Sequence, residues 1–70
     1  MIEVKAEIVG IVWKILTKPG DTVAEDQTLL ILESMKMEIP VVAPNAGTIA
    51  EIRVKENDVV KEDQVLVVMS

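Results

Sequence analysis

Hydrophobic residues recur along this chain in short runs with a period of two, and clusters of Gly, Pro, Asn and Asp divide the runs. Ile2, Val4, Ala6 and Ile8 alternate with Glu3, Lys5 and Glu7, so residues 1–9 are predicted as a half-buried strand. Residues 10–17 make a second strand, and Pro19-Gly20-Asp21 a turn in which proline presets φ and glycine accepts a positive one. Val23 is a brief apolar touch-down, Glu25-Asp26-Gln27 a polar bend, and residues 28–33 a strand. Further strands are predicted at 39–43, 48–54 and 65–69, with turns at Pro44-Asn45-Ala46-Gly47 and Asn57-Asp58 and a second touch-down at Val59-Val60. No stretch joins a capping residue to an apolar period of 3.6, so no helix is expected. Val12 and Ile15, like Ile49 and Ile52, lie three apart, and a flat strand would put each pair on opposite faces. A β-bulge at Trp13-Lys14 and another at Ala50-Glu51 would turn all four inward.

Residues 4–33 laid on residues 41–70, an offset of 37, agree at eleven of thirty positions. The identities include Gly10/Gly47, Asp21/Asp58, Asp26/Asp63 and Gln27/Gln64, and many other pairs exchange one aliphatic for another. Gly20 falls on Asn57, and both residue types tolerate the left-handed region. Two copies are too few for a solenoid. They suit an all-β pair of sheets related by a pseudo-two-fold axis, each half covering the other's apolar face. The duplicated Glu25-Asp26-Gln27 and Glu62-Asp63-Gln64 then read as structural.

Between the copies lie Glu33, Ser34, Met35, Lys36, Met37 and Glu38, flanked by Leu29-Leu30-Ile31-Leu32 and Ile39-Pro40-Val41-Val42. Two strands meeting here make a β-hairpin with Met35 and Lys36 at its tip. Tight hairpin turns favour Asn-Gly or Asp-Gly because both central residues take φ > 0. Methionine and lysine supply neither that freedom nor any gain from facing water. A local rule broken without a folding benefit marks a functional site. The pseudo-axis puts Lys36 at one end of the molecule and the chain termini at the other.

Seventy residues make one small domain, taken to span residues 1–70. Cysteine and histidine are absent, which excludes disulfides, thiol chemistry and the common zinc sites. Stability therefore rests on apolar packing, and half of the residues are hydrophobic. The net charge of −5 and the absence of a basic cluster argue against nucleic acid. No apolar run approaches the roughly 20 residues of a membrane-spanning helix, and Glu3, Lys5 and Glu7 break any signal-peptide pattern. A cytoplasmic, monomeric domain is expected. Trp13, the lone aromatic, is expected to be partly buried, and Lys5, Lys14, Lys18, Lys55 and Lys61 to be solvated charges.

Glu-Ser-Met-Lys-Met-Glu at the hinge of a two-fold repeat, with the Gly10 strand, the turn at 18–21 and Ala43-Pro44 before Gly47, resembles the biotinyl carrier domains of biotin-dependent carboxylases. These belong to the biotin/lipoyl attachment family, and the likeness runs through the whole chain. It implies a flattened barrel-sandwich hybrid of two four-stranded antiparallel sheets, with biotin in amide linkage on Lys36. The usual family alanine is replaced here by Ser34, and the ungapped repeat leaves no room for the protruding thumb of one bacterial carrier. The resemblance further implies a biotin protein ligase as partner, reading Met35 and Met37 together with Glu33, Ser34 and Glu38. Biotin carboxylase and carboxyltransferase components then exchange a carboxyl group with the arm. Lipoyl domains share the fold but usually carry aspartate before the lysine and alanine after it. They also favour a glutamate three residues before the lysine, and Glu33 stands there, so lipoate is the alternative cofactor.

An ordinary lysine amine is unprotonated in only about one molecule in a thousand at neutral pH. Acylation therefore calls for an outside enzyme that activates the acyl group. No general base, nucleophilic triad, phosphate loop or metal cluster appears in the sequence, so independent catalysis is not expected. A third reading is an interaction module on the same scaffold in which the lysine goes unused.

Overall fold

Strand-forming residues dominate each apolar run, and every run becomes a strand. The computed structural model describes residues 1–70. It contains β1 (Ile2–Lys5), β2 (Gly10–Ile15), β3 (Thr22–Val23), β4 (Thr28–Ser34), β5 (Met37–Val42), β6 (Gly47–Ile52), β7 (Val59–Val60) and β8 (Val65–Met69), with no helix. Two open four-stranded antiparallel sheets result, ordered β1-β8-β6-β3 and β5-β4-β2-β7. Shifting by 37 residues carries β1 to β5, β2 to β6, β3 to β7 and β4 to β8, which turns one sheet order into the other. This is the flattened barrel-sandwich that the repeat called for. Each sheet draws strands from both halves, so the halves interlock. No helix is long and apolar enough to cross a membrane.

The core repeats with the strands. Val12, Leu29, Leu30 and Leu32 are buried beside their equivalents Ile49, Leu66, Val67 and Met69. Each such side chain contributes about 1.5–3 kcal/mol on leaving water. The register between β2 and β4 shifts between Val12 and Lys14, and that between β6 and β8 shifts between Ile49 and Glu51. These are the two bulges expected from the apolar spacing, and Val12 and Ile15 accordingly reach one core. A second matched pair of irregularities was not foreseen. Leu29 is unpaired between Thr28 and Leu30, and Leu66 lies unpaired opposite Val4 and Lys5. The extra residue lets Leu29 and Leu30, and likewise Leu66 and Val67, both point inward.

Duplicated turns clamp each half onto the other. Gly20 N donates to Ile49 O at 2.8 Å and Asn57 N to Val12 O at 2.7 Å. Asp26 N donates to Ala43 O, and Asp63 N to Ala6 O, both at 2.8 Å. The side chains are reused in the same way. Asp21 Oδ2 accepts from Lys18 N at 3.0 Å and Asp58 Oδ2 from Lys55 N at 2.9 Å. Gln27 Oε1 and Gln64 Oε1 accept from Ala24 N and Lys61 N, both at 3.0 Å. Asp26 and Asp63 take φ of 68° and 70°. These turn residues are structural, as their duplication implied.

The first strand is shorter than its alternation suggested. β1 stops at Lys5, whose partner Val65 is the first residue of β8, so the ladder has no further rung. Ala6 then bonds into the Asp63-Gln64 turn. Ile8, expected in the core, is instead exposed in the bend that follows. β2 ends at Ile15 and β6 at Ile52, two residues short of expectation. Trp13 is 43% exposed at its bulge, partly covered as predicted.

Candidate functional site

The β4–β5 ladder closes on the pair Ser34 and Met37, leaving Met35 and Lys36 as a two-residue connection. Both take positive φ, 53° for Met35 and 65° for Lys36. That is the sign pattern of a type I′ hairpin turn, which matches the right-handed twist of the flanking strands. Neither side chain tolerates the left-handed region well, and each residue held there costs roughly 1–2 kcal/mol. The cost is met by the six paired positions of the β4–β5 ladder and by Leu30 and Leu32, buried beneath it. Lys36 is exposed, and Met35 and Met37 are 88% and 65% exposed. The two methionines therefore add nothing to the core.

Glu33 and Glu38 face each other across the rung next to the closing Ser34–Met37 pair, and both are exposed. Like charges in directly opposed positions destabilise a sheet. The two ion pairs of the molecule are Lys18–Asp21 and Arg53–Glu51, so neither Glu33, Glu38 nor Lys36 takes part in one. Ser34 is half-buried. Gly10, at the start of β2, lies under the base of the hairpin, where an added Cβ would come within 2.8 Å of Glu33 O and 3.5 Å of Ser34 Cβ. Only glycine allows this approach without pushing the tip aside.

All six residues singled out around the tip thus fall at one end of one hairpin. Two neighbours escaped the sequence reading. Ile8 and Val9, assigned there to a half-buried strand, join Glu7, Ser34, Met35 and Glu62 around a shallow hollow of about 430 Å³ beside the tip. The β1–β2 bend that brings them there left no local signature. A larger hollow of about 480 Å³ lies between β1 and β5 and contains no residue of the tip. The tip holds one solvent-facing amine with no ion-pair partner.

Fold and tip together place the chain in a class of small all-β carrier-type domains, with Lys36 exposed on a hairpin. A family model described as "Biotin-requiring enzyme" matches residues 2–69, and the chain belongs to this biotin/lipoyl family. It is 46% identical over 46 residues to the biotin/lipoyl attachment protein of Bacillus subtilis (strain 168), a match covering 66% of this chain and 63% of the relative. It is 52% identical over 44 residues to the biotin carboxyl carrier protein of Streptococcus mutans, covering 63% of this chain and 34% of that protein. Among solved structures, the urea carboxylase of Kluyveromyces lactis contains a similar domain. The TM-score is 0.94 at 29% identity, over 99% of this chain and 6% of the carboxylase. The matches thus span less than two thirds of each of these proteins.

Proposed function

We propose that residues 1–70 are a carrier domain whose Lys36 Nζ is biotinylated by a biotin protein ligase. The observation that carries this reading is the exposed lysine in a strained two-residue turn, framed by two exposed methionines. A carrier needs its amine free of the body of the protein, and a ligase needs handles to find it. Methionine is a flexible, polarizable side chain that adapts to a partner's groove. Met35 and Met37 are those handles, with Glu33, Ser34 and Glu38 as further contacts.

In the loading reaction the ligase joins biotin to AMP from ATP, releasing pyrophosphate. Lys36 Nζ, deprotonated in the ligase site, attacks the acyl carbon; the amide bond forms, the acyl–phosphate bond breaks, and AMP leaves. The domain's own residues contribute presentation rather than catalysis: β4 and β5 fix the position of the amine, and the turn keeps it clear of neighbouring carboxylates. When attached, biotin supplies a site that accepts and gives up a carboxyl group. Tethering raises the local concentration of that group at successive enzymes. The partners are then biotin carboxylase and carboxyltransferase components in the cytoplasm, and the domain works as a monomer. The named relatives support this reading through what they are called.

The test is intact mass and streptavidin binding after incubation with a biotin protein ligase, ATP and biotin. One biotin per chain is expected, and none in Lys36→Arg. Biotin retained by Lys36→Arg would overturn Lys36 as the site. Glu33, three residues before the lysine, together with a relative named for both groups, supports lipoate as a second reading. A lipoyl mass increment in place of the biotin one decides for it. A chain that neither ligase modifies is an interaction module.

A further inference from the structure

The pseudo-two-fold repeat supplies an internal control for the surface positions of the strands it duplicates, and the outer faces of the two sheets fail to match. On the β5-β4-β2-β7 face, register lines up Val59, Ile11, Glu33 and Glu38 in one row. Lys14, Ile31 and Pro40 form the next row. On the opposite sheet, Thr48 stands for Ile11 and Thr22 for Val59. Ala50 stands for the bulged Trp13, and Glu3 for Pro40. The same backbone thus folds with threonine or alanine where the first face carries aliphatic and aromatic groups. Ile11, Trp13 and Val59 are 43%, 43% and 68% exposed, so the core does not require them. Clustered exposed apolar groups of this kind mark a surface that a partner covers, and Trp is enriched among the residues that anchor such surfaces.

The charges on this face narrow the partner. The row that begins with Val59 and Ile11 ends in Glu33 and Glu38, two opposed carboxylates without a cation. They lie two or three residues from Lys36, roughly 10 Å along the strands. With Lys14 the face holds two carboxylates against one amine, so a second copy of the chain would only double the excess.

We infer that this outer face docks the ligase that loads Lys36. The ligase presents an apolar patch to Ile11, Trp13 and Val59 and a cationic side chain to Glu33 and Glu38. The inference rests on Lys36 being the modified residue. It adds that recognition extends from the tip onto one face of the body, through residues the sequence motif does not contain. The cation relieves the repulsion between the two carboxylates, so part of the strain at the rung is released only in the complex.

The experiment gives the first face the residues of the second: Ile11→Thr, Trp13→Ala and Val59→Thr in one 70-residue chain. Steady-state biotinylation by a biotin protein ligase is measured with the apo chain as the varied substrate. KM is expected to rise roughly tenfold or more with kcat unchanged. The mirror-image variant, Thr48→Ile, Ala50→Trp and Thr22→Val, is expected to leave KM unmoved. Glu33→Gln with Glu38→Gln is expected to flatten the dependence of kcat/KM on ionic strength. Circular dichroism melting confirms that the variants remain folded. A modified parent chain whose KM does not move in the triple variant overturns the docking face alone; a parent chain that is never modified overturns both readings. Self-association of the parent in sedimentation, lost in the triple variant, assigns the face to a second copy and also overturns the inference.

Discussion

Six residues of this chain take positive φ, and they divide into two kinds. Gly20 and Asn57 are repeat equivalents, as are Asp26 and Asp63, and all four are residue types that enter the left-handed region at little or moderate cost. Their turns hold one half onto the other through backbone hydrogen bonds. Met35 and Lys36 lie in the connection between the matched segments 4–33 and 41–70, outside the repeat. They occupy the same backbone region with side chains poorly suited to it. Where a turn serves the fold, sequence and conformation agree; at Met35 and Lys36 they disagree, and both side chains face solvent.

The contrast is tested most severely by giving the tip the residues that its geometry favours. Met35→Asn with Lys36→Gly is expected to abolish modification and to stabilise the domain by about 1–2 kcal/mol. That corresponds to a rise in melting temperature of about 4–8 °C per kcal/mol for a chain of this size. A fall in melting temperature would show that the tip is not strained. A smaller effect is expected from Met35→Asp with Met37→Ala, which leaves the amine in place and alters only its frame. Competition between biotin and lipoate ligases, read by intact mass, should then shift towards lipoate. An unchanged preference would show that the flanking residues do not decide. At the duplicated turns, Gly20→Ala is expected to lower stability by about 1 kcal/mol. Gly20→Asn, which copies Asn57, should lie within a few tenths of a kcal/mol of the parent in urea denaturation. Open space around the Gly20 Cβ position leaves backbone strain as the cause of any loss.

Much of this architecture was legible because it is written twice. The offset of 37 residues foretold the correspondence between strands, and the spacing of Val12 and Ile15 placed two bulges that the register shows. The irregularities at Leu29 and Leu66 were hidden by continuous aliphatic runs, in which any residue could be the extra one. Ile8 was misplaced because its alternation with Glu7 continues past the point where β1 loses its partner. A period of two reports which residues could share a face, whereas the ladder decides where the face ends. The tip itself was plain, since a lysine between two methionines breaks turn chemistry. The company of Ile8 and Val9 there, and the apolar face under Trp13, depend on strand order, which local patterns do not carry.

The interlocking of the two halves bears on how such a chain comes into being. β1 finds its partner in β8 and β3 in β6, so residues 1–33 emerging from a ribosome hold only the β2–β4 pairing among themselves. β1 has no strand to pair with until β8 is synthesised, whereas the β5-β4-β2-β7 sheet has all its strands once β7 is made. Long-range strand pairing of this kind is slow to form. The β4–β5 hairpin belongs to the sheet without β8, so its tip acquires all its strand neighbours before the other sheet of the sandwich is complete.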